Sequence, residues 1–272
     1  KSFKKKNLLD VTTDFSRIKE VDHIAICVPT PIDTHRKPNL DYVINSVKSI
    51  TDFLQKDTLI SLESTTYPGT TREILKPLIE DKGHQIGSDI FLAFSPERED
   101  PGNKNFNLSN TPKVVSGLTE YCAKKAKNFY SKICDQIVMV SSLEVAETTK
   151  LLENIQRSVN IGLMNEMKIF AEKMDINLFE VIDAAATKPF GFSKYYPGPG
   201  VGGHCIPVDP FYLTYKAKEF NLDTKFIELA GEINRSMPNF IFKNISNVLN
   251  SMNLAISGSK ILCLGLSYKK NV

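Results

Sequence analysis

The sequence contains no tryptophan, no internal repeat and only four histidines. Those histidines are scattered without ligand spacing, which argues against a metal centre. No apolar run approaches the roughly 20 residues that a membrane-crossing helix needs. The net charge of +3 over 272 residues is too small to indicate nucleic acid or an acidic membrane surface as a partner. A short basic run at the start, KSFKKK, reads as a solvated chain end. The five cysteines, Cys27, Cys122, Cys134, Cys205 and Cys263, show no framework spacing. Their odd number, and no signal peptide in the sequence, point to reduced thiols and a cytoplasmic location. What is present is ordinary for a globular chain, 42% hydrophobic and 24% charged. The length predicts one to two domains.

Apolar runs and helical patterns alternate over the first half. Strands are expected over Asp22–Val28, Thr58–Glu63, Ile90–Phe94, Lys113–Ser116 and Gln136–Val140. Helices are expected over Asp41–Leu54, Thr70–Ile79 and Thr119–Ile133. This alternation predicts a doubly wound parallel sheet, α/β in class and Rossmann-like. Ligands in such sheets sit at the carboxyl ends of the strands. The loops there are Pro29-Thr30-Pro31, Ser64-Thr65-Thr66 and Ser95-Pro96-Glu97-Arg98.

From Leu143 the alternation stops. Leu143–Met174 has no proline and one glycine, Gly162, and reads as a single helix roughly 45 Å long. Further helices are expected over Leu178–Ala186, Phe211–Phe220 and Lys225–Asn250, the last bent or broken at Pro238. Lys260–Leu266 reads as one more strand. The expected division is therefore a sheet domain over 1–142, an all-helical domain over 143–255 and the start of a further domain over 256–272.

The most informative stretch is TKPFGFSKYYPGPGVGGHCIPVDPFYLTY, Thr187 to Tyr215. It places Gly198, Gly200, Gly202 and Gly203 within six residues, then Cys205, then Asp209. Glycines let backbone approach a ligand and supply positive φ. Asp209 followed by Pro210 predicts a helix N-cap and first position. A thiol just ahead of that helix lies near the positive end of its dipole, which favours thiolate. The segment reads as a covalent-catalysis loop. Gly198, Gly200 and Gly203 also satisfy G-x-G-x-x-G, but tyrosines and prolines precede and interrupt it where a strand is required, so the dinucleotide reading of this segment is rejected.

GVGGHCIPVDP resembles the active-site segment of the nucleotide-sugar 6-dehydrogenases, the UDP-glucose/GDP-mannose dehydrogenase family. The longer form ATKPFGF…YYPGPGVGGHCIPVDPFYL is most similar to its UDP-N-acetylglucosamine branch. The resemblance implies NAD as cofactor and a four-electron oxidation of a sugar C6 alcohol to the acid, for surface polysaccharide precursors. In that chemistry Cys205 captures the aldehyde as a thiohemiacetal, which passes to a thioester and is hydrolysed. Ala146-Glu147-Thr148-Thr149-Lys150…Asn154 matches the family's helical lysine–asparagine motif. Lys150 is implied as general acid/base, and Asn154 as a donor to the substrate oxygen. Asp209, Glu97 and Thr65 are implied to position or activate water.

Val28, Pro29, Thr30, Pro31, Ser64 and Thr65 match the loops that meet the cofactor. Glu97, Arg98, Lys150, Asn154, Tyr195, Tyr196 and the four glycines are the expected substrate contacts. The family's UDP-glucose members carry a second glutamate where Pro101 stands here, with Glu99 as the alternative acid. His204 adjoins Cys205 but reads as a loop or substrate contact rather than a dyad partner. The helix at 143–174 carries apolar positions on more than one side, among them Leu151, Leu152, Ile155, Val159 and Phe170, which predicts burial on more than one face and a homodimer through it. The family opens with a strand and a glycine turn that have no counterpart in this sequence, and LGLSYKK resembles the first strand of its UDP-binding domain. The chain therefore reads as the middle of a longer enzyme. Two alternatives stay open: a hydroxyacid or phosphogluconate-type dehydrogenase using Lys150 without a covalent step, and a helical dimerisation module with a degenerate sheet.

Overall fold

A computed structural model describes residues 9–100 and 102–265. The basic run over 1–6, Pro101 and the segment 266–272 lie outside the described residues. The described residues form two compact units, one within residues 9–31 and 39–150, the other within residues 32–38 and 151–265.

The first unit is an α/β sheet of five strands in the order β1-β2-β3-β4-β5. They are β1 (His23–Ile26), β2 (Thr58–Leu62), β3 (Ile90–Phe94), β4 (Lys113–Gly117) and β5 (Ile137–Met139). The helices between them are α1 (Asp41–Thr51), α2 (Lys76–Glu80), preceded by a π-helical turn over Thr71–Leu75, and α3 (Glu120–Tyr130). The β1/β2, β2/β3 and β4/β5 pairs are parallel, as expected. The β3/β4 pair is antiparallel, within a sheet otherwise parallel as expected. Its cause is the connection: a helix crosses over between each of the other pairs, but the described residues of 95–112 contain none, so the chain loops back alongside β3.

β2 and β3 are buried along their whole length. Their alternate residues feed two cores. Ile60, Leu62, Leu92 and Phe94 pack with Val43 and Val47 of α1 on one face. Leu59, Phe91 and Ala93 pack with Cys122, Ala126 and Tyr130 of α3 on the other. Helices on both faces explain why these strands read as continuous apolar runs.

The second unit is helical. It takes in most of α4 (Leu143–Lys173), then α5 (Leu178–Ala185), α6 (Asp209–Lys218) and α7 (Lys225–Ser251). Gly162 of α4 faces Ala230 of α7, and a Cβ there would lie 3.2 Å from the alanine Cα. Glycine at that position is what lets the two helices approach. Pro238 does not break α7, which is assigned as one helix across it. The expected strand over Lys260–Leu266 is not formed over its described part, residues 260–265. Among the described residues no other strand pairs with it, and a lone strand gains nothing from extension. Nor is any helix among the described residues long and apolar enough to cross a membrane.

Candidate active site

In the first unit, the loops after β1 and β2 are tied together. Ser64 is buried; its hydroxyl accepts from the Val28 N–H and donates to the Val28 carbonyl, both at 2.8 Å. The Thr30 hydroxyl donates to the Thr65 carbonyl at 2.8 Å. Pro29 and Pro31 are exposed, and Thr65 is half-buried. The next residue, Thr66, is fully buried, and its hydroxyl has no partner among the described residues. A buried hydroxyl without a partner is costly unless something else completes it. It lies at the carboxyl end of a central strand, where open α/β sheets take their ligands. The loops Val28–Pro31 and Ser64–Thr66 thus stand where such a sheet takes a ligand, and the Thr66 hydroxyl is a group that a ligand there would complete.

The loop after β3 meets α4. Lys150 is buried; its ammonium donates to the Glu97 carbonyl at 2.6 Å and lies 3.7 Å from the Glu97 carboxylate. Glu97 itself is exposed, and its carboxylate accepts the Glu99 N–H. The Arg98 guanidinium donates to the Pro112 carbonyl at 2.7 Å, so at least one of its arms is engaged by backbone.

Beneath this loop runs a polar chain with no counterpart in the sequence reading. His23 Nε2 pairs with the Ser61 hydroxyl at 2.7 Å, Ser61 with the Tyr130 hydroxyl at 2.8 Å, and Tyr130 donates to Glu63 at 2.6 Å. Glu63 receives Lys113 at 2.7 Å, and Lys113 also reaches the Pro96 carbonyl at 3.3 Å. Burial pushes the His23 imidazole down to about 4 and raises the Tyr130 phenol. Glu147 of α4 is also buried. Burial pushes its carboxyl up to about 7, against the pull of hydrogen bonds from Thr71 and Gly69.

In the second unit, Asn154 and Asp209 are both buried, and the Asn154 amide donates to the Asp209 carboxylate. Arg157 donates to the Asn154 oxygen in turn, fixing which way the amide points. Asp209 is the first residue of α6 rather than its N-cap, which is Val208 with no side-chain cap bond. The Asp209 carboxylate is held by Asn154 of α4. Cys205 is exposed, and its carbonyl accepts from Val208 N–H at 3.1 Å and Asp209 N–H at 2.8 Å. The thiol residue and the carboxylate residue thus close one turn.

The glycine loop is anchored by two buried asparagines that sequence reasoning missed. The Gly198 N–H donates to Asn165 at 2.9 Å, and Asn165 donates to Asn234 of α7 at 2.8 Å. Gly200 has φ +130°, and a Cβ there would lie 3.3 Å from the Asn234 carbonyl. That carbonyl is four residues before Pro238, so it lacks its usual helical donor. Gly203 also has positive φ, at +83°, while Gly202 is half-buried. Tyr195 donates to Gln156 at 2.8 Å and Tyr196 to Asp183 at 2.6 Å. Among the described residues no group of three or more His, Cys, Asp or Glu could hold a metal ion.

The first unit is thus a sheet with helices on both faces and tied loops at its strand ends, and the second a set of helices bearing an exposed cysteine one turn from a buried carboxylate. Residues 1–134 match the NAD binding domain, and residues 144–236 the central domain, of the UDP-glucose/GDP-mannose dehydrogenases. The chain belongs to that family. It is 40% identical to Protein CapL of Staphylococcus aureus over 97% of this chain and 62% of that one. It is 35% identical to the UDP-N-acetyl-D-glucosamine 6-dehydrogenase of Pseudomonas aeruginosa, with the same coverage of 97% and 62%. Among solved structures, a UDP-D-ManNAc dehydrogenase from Pyrococcus horikoshii superposes with TM-score 0.87 at 32% identity, covering 93% of this chain and 59% of that one. The chain thus spans about 62% of the length of these curated relatives.

Proposed function

We propose that the protein containing this chain oxidises the C6 alcohol of a UDP-N-acetylhexosamine to the uronic acid, with Cys205 carrying the intermediate. The sugar is UDP-N-acetylglucosamine on the pattern of its glycine–tyrosine loop. The manno epimer is the alternative, favoured by the Pyrococcus horikoshii neighbour. The observation that carries the reading is the turn joining exposed Cys205 to buried Asp209, with Asn154 on the carboxylate.

Val28–Pro31 and Ser64–Thr65 would hold NAD, which when bound would supply the two-electron oxidation that the reaction uses twice. The chain's residues do the rest. Lys150, once its ammonium has given up a proton, takes that of the alcohol, and as the ammonium so re-formed it stabilises charge on the substrate oxygen. The Cys205 thiolate adds to the aldehyde carbon to give a thiohemiacetal, and its oxidation leaves a thioester. Asn154 donates to the oxyanion. Asp209, with Glu97 and Thr65, orients the water that cleaves the thioester and releases the thiol. Arg98, Tyr195, Tyr196, Gly198, Gly200, Gly202 and Gly203 shape the substrate side. The domains run 1–142, 143–255 and 256–272 in this reading, the last beginning a UDP-binding domain. The protein is a cytoplasmic homodimer formed through α4 and serves surface polysaccharide synthesis. The decisive measurement is turnover of a panel of UDP-sugars by the full-length protein. UDP-N-acetylhexosamines should lead in kcat/KM, and an acetamido-sized pocket discriminates by about 1–3 kcal/mol. A clear preference for UDP-glucose would sink the substrate assignment.

A further inference from the structure

We propose that Glu147 is a positioning residue for this reaction, tying the turn that follows Thr65 to the helix that carries Lys150. The inference rests on the function proposed above. The Glu147 side chain is 0% exposed, so protein donors must replace water around its carboxylate. Three do so. The Gly69 N–H donates to one oxygen at 2.6 Å; the Thr71 N–H and hydroxyl donate to the other at 2.9 and 2.7 Å. All three belong to a single turn, a few residues beyond Thr65.

That turn has no device of its own to fill this place. Thr70 stands at the N-cap of the π-helical turn but makes no cap bond; its hydroxyl donates back to the Tyr67 carbonyl at 2.7 Å. Glu147 caps from outside. Gly69 makes this possible: its φ is +99°, and a Cβ would fall 2.6 Å from a Glu73 carboxylate oxygen. Along α4, Glu144, Glu147 and Lys150 stand three residues apart and share one side of the helix. Glu144 pairs with Arg72 at 2.6 Å, Glu147 holds Gly69 and Thr71, and Lys150 holds the Glu97 carbonyl. The outer pair is solvent-exposed and contributes little. Glu147 is the buried rung. From the other side, Thr30 holds the Thr65 carbonyl. The loop bearing Thr65 is therefore gripped at both ends, and one grip lies a single turn of α4 from Lys150.

The test uses the full-length protein, with Glu147→Gln as the first variant. Glutamine keeps the size but turns an amide N–H₂ towards an N–H donor. The kcat on UDP-N-acetylhexosamine should fall tenfold or more, while KM for NAD and for the sugar nucleotide each change less than twofold. The Gly69 and Thr71 amides should lose hydrogen-exchange protection while β2 and β3 keep theirs. Thr71→Val removes the hydroxyl donor alone; its kcat should fall by a smaller factor at unchanged KM, and it decides the matter if Glu147→Gln does not fold. Unchanged kcat in both variants overturns the positioning role. So does a joint shift of kcat and both KM values with protection lost across β2 and β3, which marks a purely structural residue. Retained protection at Gly69 and Thr71 overturns the tie itself. A wild-type enzyme that turns over no UDP-sugar overturns the proposed function, and this role with it, while the exchange result still reports on the tie.

Discussion

At the scale of single residues, Cys205 carries the sharpest expectation. Conversion of alcohol to acid requires two oxidations, and the second needs a tetrahedral adduct with a hydrogen still on carbon. Cys205 is exposed and can form that adduct. Cys205→Ala should leave the fold intact and abolish acid formation, whereas wild type should yield two NADH per sugar acid. Product stoichiometry by mass spectrometry decides it, and uronic acid at a near wild-type rate from the variant would favour the phosphogluconate-type alternative. Glu147 gives a pH expectation of definite sign. Its folded-state value of about 7 lies above the ordinary 4.5, because burial outweighs its hydrogen bonds. The folded state then binds a proton that the unfolded chain has lost, so stability falls as pH rises from about 4.5 to about 7, by roughly 3 kcal/mol. The neighbouring Glu144 carboxylate pushes the Glu147 value the same way. Glu144, held down to about 2 by Arg72, acts in a separate window, losing its contribution only as pH falls below 4.5. Native-state exchange of β2 and β3 amides in urea should show the upper-window slope in wild type and a flatter one in Glu147→Gln. Equal slopes would count against the assignment.

At the scale of elements, the glycine loop and α7 specify each other. Gly200 combines positive φ with a close approach to the Asn234 carbonyl, whereas at Gly191, with φ +71°, an added methyl would meet nothing within 4 Å. Gly200→Ala should therefore cost more than Gly191→Ala, which bears backbone strain alone of about 1–2 kcal/mol. Thermal melting of the two variants compares them, and equal losses would show that the approach to Asn234 is not tight. In the sheet unit, Lys113 is buried against Glu63. Lys113→Met strands that carboxylate and should destabilise by about 3–5 kcal/mol. Denaturant unfolding measures it, and a loss under about 1 kcal/mol would mean water reaches Glu63. The same elements show what the sequence made legible. β3 was read to the residue because both its faces are buried and its apolar run is unbroken. The antiparallel turn into β4 was missed, although the absence of a helix over residues 95–112 was its visible sign. Cys205, Asp209, Lys150 and Asn154 were legible through a dense motif. Asn165 and Asn234 were not, and Glu147 stood in the Lys150 motif without a visible role, because a polar residue in a helix carries no mark of burial until the partner helix or turn is in place.

At the scale of the whole molecule, α4 presents more apolar surface than its own unit covers. Leu151, Ile155 and Ala171 are buried, yet Leu152, Leu163, Met167 and Phe170 are exposed, Leu152 at 62% and Phe170 at 55%. Leu163, Met167, Phe170 and Met174 follow one another at steps of four, three and four residues. Extending back, Val159 and Leu152 continue the same seam. That spacing keeps apolar groups on one line of the helix, as in helices that pair with a second helix. A helix apolar on two sides requires two partners, one within the unit and one beyond it. The second partner we propose is the same seam on another copy, because a two-fold axis lets one patch serve both subunits. The full-length protein should scatter light as a dimer at micromolar concentration. Leu163→Asp with Phe170→Asp places charges on the seam while leaving Leu151 and Ile155 untouched, and should give a folded monomer. A wild-type monomer refutes the dimer, and a double variant that stays dimeric moves the interface off α4. Loss of activity together with the dimer would further show that the subunits complete one another's sites; an active monomer would show that each copy works alone.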